Sequence, residues 1–391
     1  MPQFDSKTFN AEVFGKYLER VPRVKQDKLL EAGVLRPRRA LRALLGDHAG
    51  GNYITVPMLG LIDGEPLNYD GETDLTAVST RTYAQSMVVV GRMKAWEEKD
   101  FAADITGADF MDNVAMQVAE YWDGVDEDTL LAILKGVFAM TGEGNVEFVD
   151  RHTYDVTAAA EPYVGATTLN SAIQRAAGAN KGIFRVVVCH SAVSTNLENL
   201  AAVEYLKYTD KRGVTRDLGL ASWNGRLLLV DDGVGVEQGY YAAEEGDEGA
   251  LAIVADSASP TGAQVKLGDV TSAAFHPAGA AAGQYVVPGE RYCSYILGEG
   301  AFDFCDCGAR TPNEMWRDPR DAGGKDVLIT RQRKLFAPRG LSFTKAAMNS
   351  LSPTNAELEN GANWALVHDG QSDKGFIDHR AIPIARILSR G

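Results

Sequence analysis

Residues 106–139 read TGADFMDNVAMQVAEYWDGVDEDTLLAILKGVFA. Apolar side chains return at Met111, Val114, Val118, Tyr121/Trp122 and Val125, then at Leu130, Leu134 and Val137/Phe138. That is mainly a 3.6-residue period, the signature of one long amphipathic helix, with a single five-residue step across Asp126–Asp128. Asp109 and Asp112 favour its start through the helix dipole, and Gly142 suits its stop. Thirty-odd residues would span roughly 45–50 Å at ~1.5 Å per residue, which is long for a globular domain. Gly124 and the acidic run beside it leave room for a kink.

What flanks this helix decides the architecture. Before it lie two strand-like runs, NYITVPML (52–59) and TYAQSMVVVGRMKAW (82–96), joined by the Gly-, Asp- and Thr-rich stretch 60–81. An isolated two-stranded ribbon is marginal in water, so this one must lie on something else. After the helix, residues 143–295 alternate between helix and strand patterns. TTLNSAIQRAAGAN and AVSTNLENLAAVEYL read as helices, and FRVVVCHS as a buried strand. NGRLLLVDD reads as a strand opened by an Asn-Gly turn. Residues 240–287 are rich in Gly, Ala and acids and read as a surface elaboration. The last hundred residues return to strands: CSYILGEGAFDFC, DVLITRQRKLFAPRGLSFT, NWALV and AIPIARIL. Strands at both ends of the chain imply one domain built from both, with an α/β part inserted.

Residues 1–49 are basic and broken by Pro22, Gly33 and Pro37, with VKQDKLLEAGVL a short helix stopped at Gly33. Between Lys16 and Arg42, nine cations (Lys16, Arg20, Arg23, Lys25, Lys28, Arg36, Arg38, Arg39, Arg42) face three acids (Glu19, Asp27, Glu31), a local +6 in a 391-residue chain of net charge −14. This segment reads as an interaction arm. The chain as a whole is a poor non-specific ligand for nucleic acid, which rewards phosphate neutralisation by cations. A second basic patch, Arg331, Arg333, Lys334 and Arg339 in TRQRKLFAPRG, is expected to pair with acids of a neighbouring subunit, with phosphate contact as the alternative. Asp63, Glu65, Asp70 and Glu72 lack the twelve-residue calcium-loop pattern and read as a solvated hairpin tip.

Chemical motifs are sparse. The phosphate-loop, zinc-protease, serine-hydrolase and dinucleotide patterns are all missing. The four cysteines (Cys189, Cys293, Cys305, Cys307) read as free thiols. Cys305-Asp306-Cys307 is tighter than zinc spacing, and its alternation puts Asp303, Cys305 and Cys307 on one strand face. Asp231, Asp232 and His190, at the ends of two predicted strands, form the one enzyme candidate, an α/β metal-dependent hydrolase. The alternative is that they cap a turn and a helix. No cofactor or metal is expected, and no window approaches the ~18 apolar residues of a membrane span.

Together these pieces resemble the major capsid protein of tailed bacteriophages, the Hong Kong 97 fold. The resemblance rests on their order and on the phrases VKQDKLLEAGVL, AEYWDGVDEDTLLAILKGVFA, VVVCHSAVSTNLENL, NGRLLLVDDGV, YCSYILGEGAF and LSPTNAELENGANWALV. It implies an α+β chain with a basic N-terminal arm (1–49) and an extended two-stranded loop (50–96). A peripheral domain with a spine helix (97–142), an inserted α/β axial domain (143–295) and return strands (296–391) follow. The implied role carries no reaction. Copies form hexamers and pentamers of an icosahedral virion shell, assembled in the host cytoplasm around double-stranded DNA that is held by weak non-specific contact. Partners implied by the family are a separate scaffolding protein, a portal protein and a decoration protein, with no membrane. Some relatives lock their shells with a Lys–Asn isopeptide bond; Lys94 and Lys99 near the loop base are conceivable donors that no motif marks. An encapsulin-type nanocompartment shell is the alternative within the same fold. Candidate contacts between subunits are Arg20, Arg23, Lys25, Arg36, Arg38, Arg39, Asp63, Glu65, Asp70, Glu72, Arg331, Arg333, Lys334 and Arg339.

Overall fold

The computed structural model describes residues 24–45, 51–60, 66, 68–69, 82–99, 114–159, 161–200, 202–209, 215–321, 324–370 and 375–391. The chain divides into two compact units, Met1–Val149 with Glu299–Ile382, and Asp150–Gly298 with Pro383–Gly391. Each is built around its own sheet.

In the first unit the order of neighbouring strands is Leu35–Pro37, Phe302–Asp306, Lys325–Pro338, Thr82–Lys99 and Tyr53–Leu59, with Asn313–Asp318 also paired to Lys325–Pro338. Every pairing is antiparallel except Leu35–Pro37 on Phe302–Asp306. Its two long central strands run in unbroken register from Lys325 opposite Lys99 to Leu335 opposite Val89. Directly opposed residues share a face, so the sheet presents an even-numbered and an odd-numbered side along Thr82–Lys99.

The helix Val114–Phe138 covers the even side. Val118, Ala119 and Trp122 pack on Leu328 and Trp96, and the Trp122 Nε1 donates to Thr330 Oγ1 at 3.0 Å. The helix passes through Gly124 without a break. Its five-residue period slip has a physical reason: Asp126, one turn beyond Trp122, faces inward and is buried. At the C-terminal end Gly136 permits a close crossing, since a Cβ there would stand 1.9 Å from the Leu358 carbonyl oxygen. The odd side is capped by the short helix Arg39–Leu45, whose Leu41 and Leu45 pack on Met87, Val89, Leu335, Ala337, Cys305 and Cys307.

The first described element of the basic segment is the helix Val24–Glu31. Gly33, at φ 74°, ends it in a reciprocal cap: Val34 N donates to Leu29 O at 2.9 Å and Gly33 N to Leu30 O at 3.0 Å. The chain then enters the edge strand Leu35–Pro37, where the sequence predicts only broken helical pieces.

The second unit holds a ten-stranded mixed sheet. Its axis is the strand Tyr285–Gly298, which pairs with Phe184–Cys189 and Val236–Ala243 on one edge and with Leu251–Val254 and Ile384–Ser389 on the other. The helices Thr168–Ala177 and Ser191–Asn199 bury Leu169, Ile173, Val193 and Leu197 against Val187, Trp223, Leu228, Ile296 and Ile387. The Asn-Gly turn is present with Asn224 at φ 49° and Gly225 at φ 76°, joining Thr215–Trp223 to Arg226–Val230.

Two expectations are corrected here. The helix predicted through AVSTNLENLAAVEYL ends at Asn199, and Val203–Thr209 is a strand paired with Thr215–Trp223. Its β-branched and aromatic residues favour that partner over a longer helix. Residues 240–287 are not surface elaboration alone: Ile253, Val265, Val270 and Val286 form a small core of their own.

Candidate assembly surfaces

The sequence-predicted contact residues separate into three groups. Arg20, Arg23, Asp63, Glu65, Asp70 and Glu72 lie outside the described residues, as does the side chain of Lys25 on the Val24–Glu31 helix. Arg36 and Arg39 are exposed along the first unit's edge. Arg38 lies between them, with its Nε 3.0 Å from the buried Asp303 Oδ1, an anchor that joins residues 265 apart in the chain. Arg339 is exposed in the turn before Leu341–Phe343, its backbone N donating to Ala301 O at 2.9 Å.

The third group is the Lys325–Pro338 strand, where alternation sends neighbouring cations to opposite faces. Arg331 donates to Glu314 Oε2 at 3.1 Å and to Thr311 O at 3.0 Å. Arg333 donates to Asn52 Oδ1 at 2.9 Å and Gly51 O at 3.1 Å, tying the strand to the start of the Tyr53–Leu59 hairpin arm. Lys334 differs from the surface role read for it. It is 3 % exposed and bonded to the Asp126 carboxylate, which also accepts from Gln332 Nε2 at 3.0 Å. Even numbering puts Lys334 under the long helix, and a buried ammonium needs a charged partner within its own chain.

Sequence reading missed a clasp at the base of the hairpin. Residues 349–355 cross the edge of Thr82–Lys99, where Gly91 N donates to Ser352 Oγ at 2.9 Å and Arg92 donates to Pro353 O at 2.8 Å and Asn355 Oδ1 at 2.6 Å. The loop is held in shape by the Glu357 carboxylate, which accepts from Asn349 N, Ser350 N, Thr354 N, Thr354 Oγ1 and the Ser350 hydroxyl. Those donors hold its pKa down at about 2. The signal was legible as Thr354-Asn355-Ala356-Glu357, a reciprocal capping box. Between the hairpin and the Leu341–Phe343/Trp364–Leu366 pair lies a groove of about 680 Å³, lined by Tyr53, Pro57, Tyr83, Phe343, Leu366 and His368 among others.

The residues of the hydrolase reading are occupied with backbone. His190 precedes the helix Ser191–Asn199 and its Nδ1 accepts from Ala192 N at 3.1 Å, which assigns the ring hydrogen of the neutral form to Nε2. Asp232 Oδ1 accepts from Ser191 N at 3.0 Å and lies 3.6 Å from His190 Nε2, while Asp231 accepts from Gly233 N at 2.9 Å. Among the described residues no three His, Cys, Asp or Glu side chains are placed to hold a metal ion. All four cysteines are buried, and burial pushes the thiols of Cys189 and Cys307 up to about 12. No described helix is long and apolar enough to cross a membrane.

No family model matches the chain. It is 25 % identical over 339 residues to the major capsid protein of Bacillus phage SPP1, covering 87 % of this chain and 86 % of that one. Among solved structures, the capsid of Ralstonia phage GP4 superposes with a TM-score of 0.51 over 92 % of this chain and 87 % of that chain, at 9 % identity. The chain has a phage capsid fold. Both alignments run across most of the capsid protein compared, so the likeness belongs to the whole architecture and not to one shared module.

Proposed function

We propose that this chain is the major capsid protein of a tailed phage, a structural subunit whose copies assemble into the closed icosahedral shell of the virion. The observation that carries this reading is the sequence relationship to a phage major capsid protein along 87 % of the chain, joined to a capsid fold. The chemistry of the described residues supports it from the other side. Asp231, Asp232, His190 and the cysteines serve capping and core packing, and the subunit acts through surfaces instead of a catalytic centre.

At finer grain the organisation proposed is of the Hong Kong 97 type. Residues 1–49 act as an arm, 50–96 as an extended loop over a neighbouring subunit, and 97–142 with most of 296–391 as the peripheral domain whose spine is Val114–Phe138, the last strand Ile384–Ser389 belonging to the axial sheet. Residues 143–295 form the axial domain around five- and six-fold axes. The exposed Arg36 and Arg39, together with Arg20, Arg23, Lys25 and the acidic tip Asp63, Glu65, Asp70 and Glu72, are proposed contacts between subunits. A neighbour covering several hundred Å² of apolar loop would contribute several kcal/mol at ~25 cal/mol per Å², before ordering costs. Closed symmetry repeats that gain at every copy. A scaffolding protein, a portal protein, a decoration protein and packaged double-stranded DNA complete the proposed set of partners.

The test is electron microscopy of the full chain, expressed alone and with its scaffolding protein. Closed shells or capsomers are expected. A chain that stays monomeric under every condition, scaffold included, overturns the reading.

A further inference from the structure

The odd-numbered face of the first unit's sheet changes character along its length. As far as Val89 it is buried under Leu41 and Leu45. Beyond Gly91 the same face continues as Met93 and Ala95, then across the register as Ile329 and Val327, then Trp316 on the outer strand. Met93 is 78 % exposed and Trp316 53 %, Ala95 is exposed, and Val327 and Ile329 are half-buried. These five side chains occupy adjacent positions on three hydrogen-bonded strands, so they make one patch and not scattered surface residues. The opposite face of the same strands carries Trp96 and Leu328 and is packed against the long helix. A sheet apolar on both faces is stable in water only when both are covered.

We infer that this patch is an interface core and that its occupant is a second copy of this chain. Two observations choose the occupant. First, the charges around the patch are already neutralised within the chain: Arg331 pairs with Glu314 at 3.1 Å, and Lys325 pairs with Glu97 at 3.5 Å and with Asp321. Such a rim offers nothing to a polyanion such as DNA and leaves the apolar centre to another protein surface. Second, the patch is small. Three strands ~4.8 Å apart and five residues of ~3.4 Å rise give roughly 250 Å², against roughly 800 Å² per partner for a free-standing complex. A separately binding protein could not be held by it alone, whereas a copy already held by other shell contacts could. The inference thus rests on the shell reading and names one of its contacts. Trp and Met are the residue types that anchor such cores.

Buried native cysteines make the test clean, because Met93→Cys would introduce the exposed thiol in a chain whose own four are covered. Maleimide labelling of that variant is expected to be about tenfold or more slower in intact particles than in dissociated subunits, since interface cores exclude solvent. A benzophenone side chain at position 316 is expected to cross-link one chain to another on illumination of particles. Met93→Glu is expected to keep the melting temperature of the subunit and to lower particle yield. Particles in which the introduced thiol labels as fast as in free subunits overturn the inference while leaving the shell reading intact. Cross-linking from position 316 to a different protein overturns the choice of occupant. A wild-type chain that forms no particle removes the shell reading and this contact with it.

Discussion

Lys334 and Asp126 are bonded to each other in the interior of the first unit, the ammonium from the central strand and the carboxylate from the long helix, each 3 % exposed. Gln332 on the same strand face donates to the same carboxylate, and Trp122, one helical turn earlier, donates to Thr330. Thr330, Gln332 and Lys334 recur every second residue, and Trp122 and Asp126 every fourth, so the polar contacts fix the register of helix on sheet. Removing one charge strands the other in a low-dielectric site. Asp126→Ala or Lys334→Ala is expected to cost about 3–5 kcal/mol. The double variant Asp126→Leu with Lys334→Met is expected to lose less than either single change. Urea unfolding of the four chains checks this, and a double variant worse than both singles would sink it.

Glu357 sets a pH dependence. Its folded-state value of about 2 lies below the ordinary 4.5 because the Ser350 hydroxyl, first, and the backbone N–H groups of Thr354, Asn349 and Ser350 stabilise the carboxylate. The sign is that of a depressed acid: the stabilisation is complete above 4.5 and is lost as pH falls from there through 2. The melting temperature of wild type should exceed that of Glu357→Gln at neutral pH, and the gap should close on acidification. A gap independent of pH would refute the assignment.

Two glycines of one helix should respond oppositely to alanine. At Gly136 a Cβ would stand 1.9 Å from Leu358 O and 2.6 Å from Trp364 Nε1, whereas at Gly124 it would meet nothing within 4 Å. Gly136→Ala is expected to abolish soluble folded protein. Gly124→Ala is expected to raise stability by up to about 1 kcal/mol through helix propensity. Equal yields and melting temperatures for the two variants would contradict the close crossing.

The native thiols should be silent. With all four cysteines buried and those at 189 and 307 pushed up to about 12, a colorimetric thiol reagent should find none at neutral pH until denaturant is added. Rapid reaction of one equivalent in the native chain would place a cysteine at the surface.

Sequence reading reached whatever is encoded locally. The Val114–Phe138 period, the Gly33 cap and the Asn224-Gly225 turn depend on residues a few positions apart, and each is present. Asp126 shows where such reading stops. Within an acidic run it resembles a solvated residue, and only a lysine 208 positions away makes it a buried one. The edge strand Leu35–Pro37 depends likewise on Phe302–Asp306 as template. The apolar patch was hidden because Met93 and Trp316 are 223 positions apart on separate strands, neither of which is unusual alone.

Both sheets depend on late segments of the chain. The first lacks its middle without Lys325–Pro338, and the second leaves Tyr285–Gly298 and Thr153–Asp155 unbridged without Ile384–Ser389. A polypeptide still emerging from the ribosome therefore cannot present finished contact faces before residues 384–389 have been made. Until that strand is made, the half-built second sheet carries unpaired strand edges, the feature that makes incomplete folds prone to aggregate. Ribosome-stalled chains ending before residue 384 should remain open to limited proteolysis.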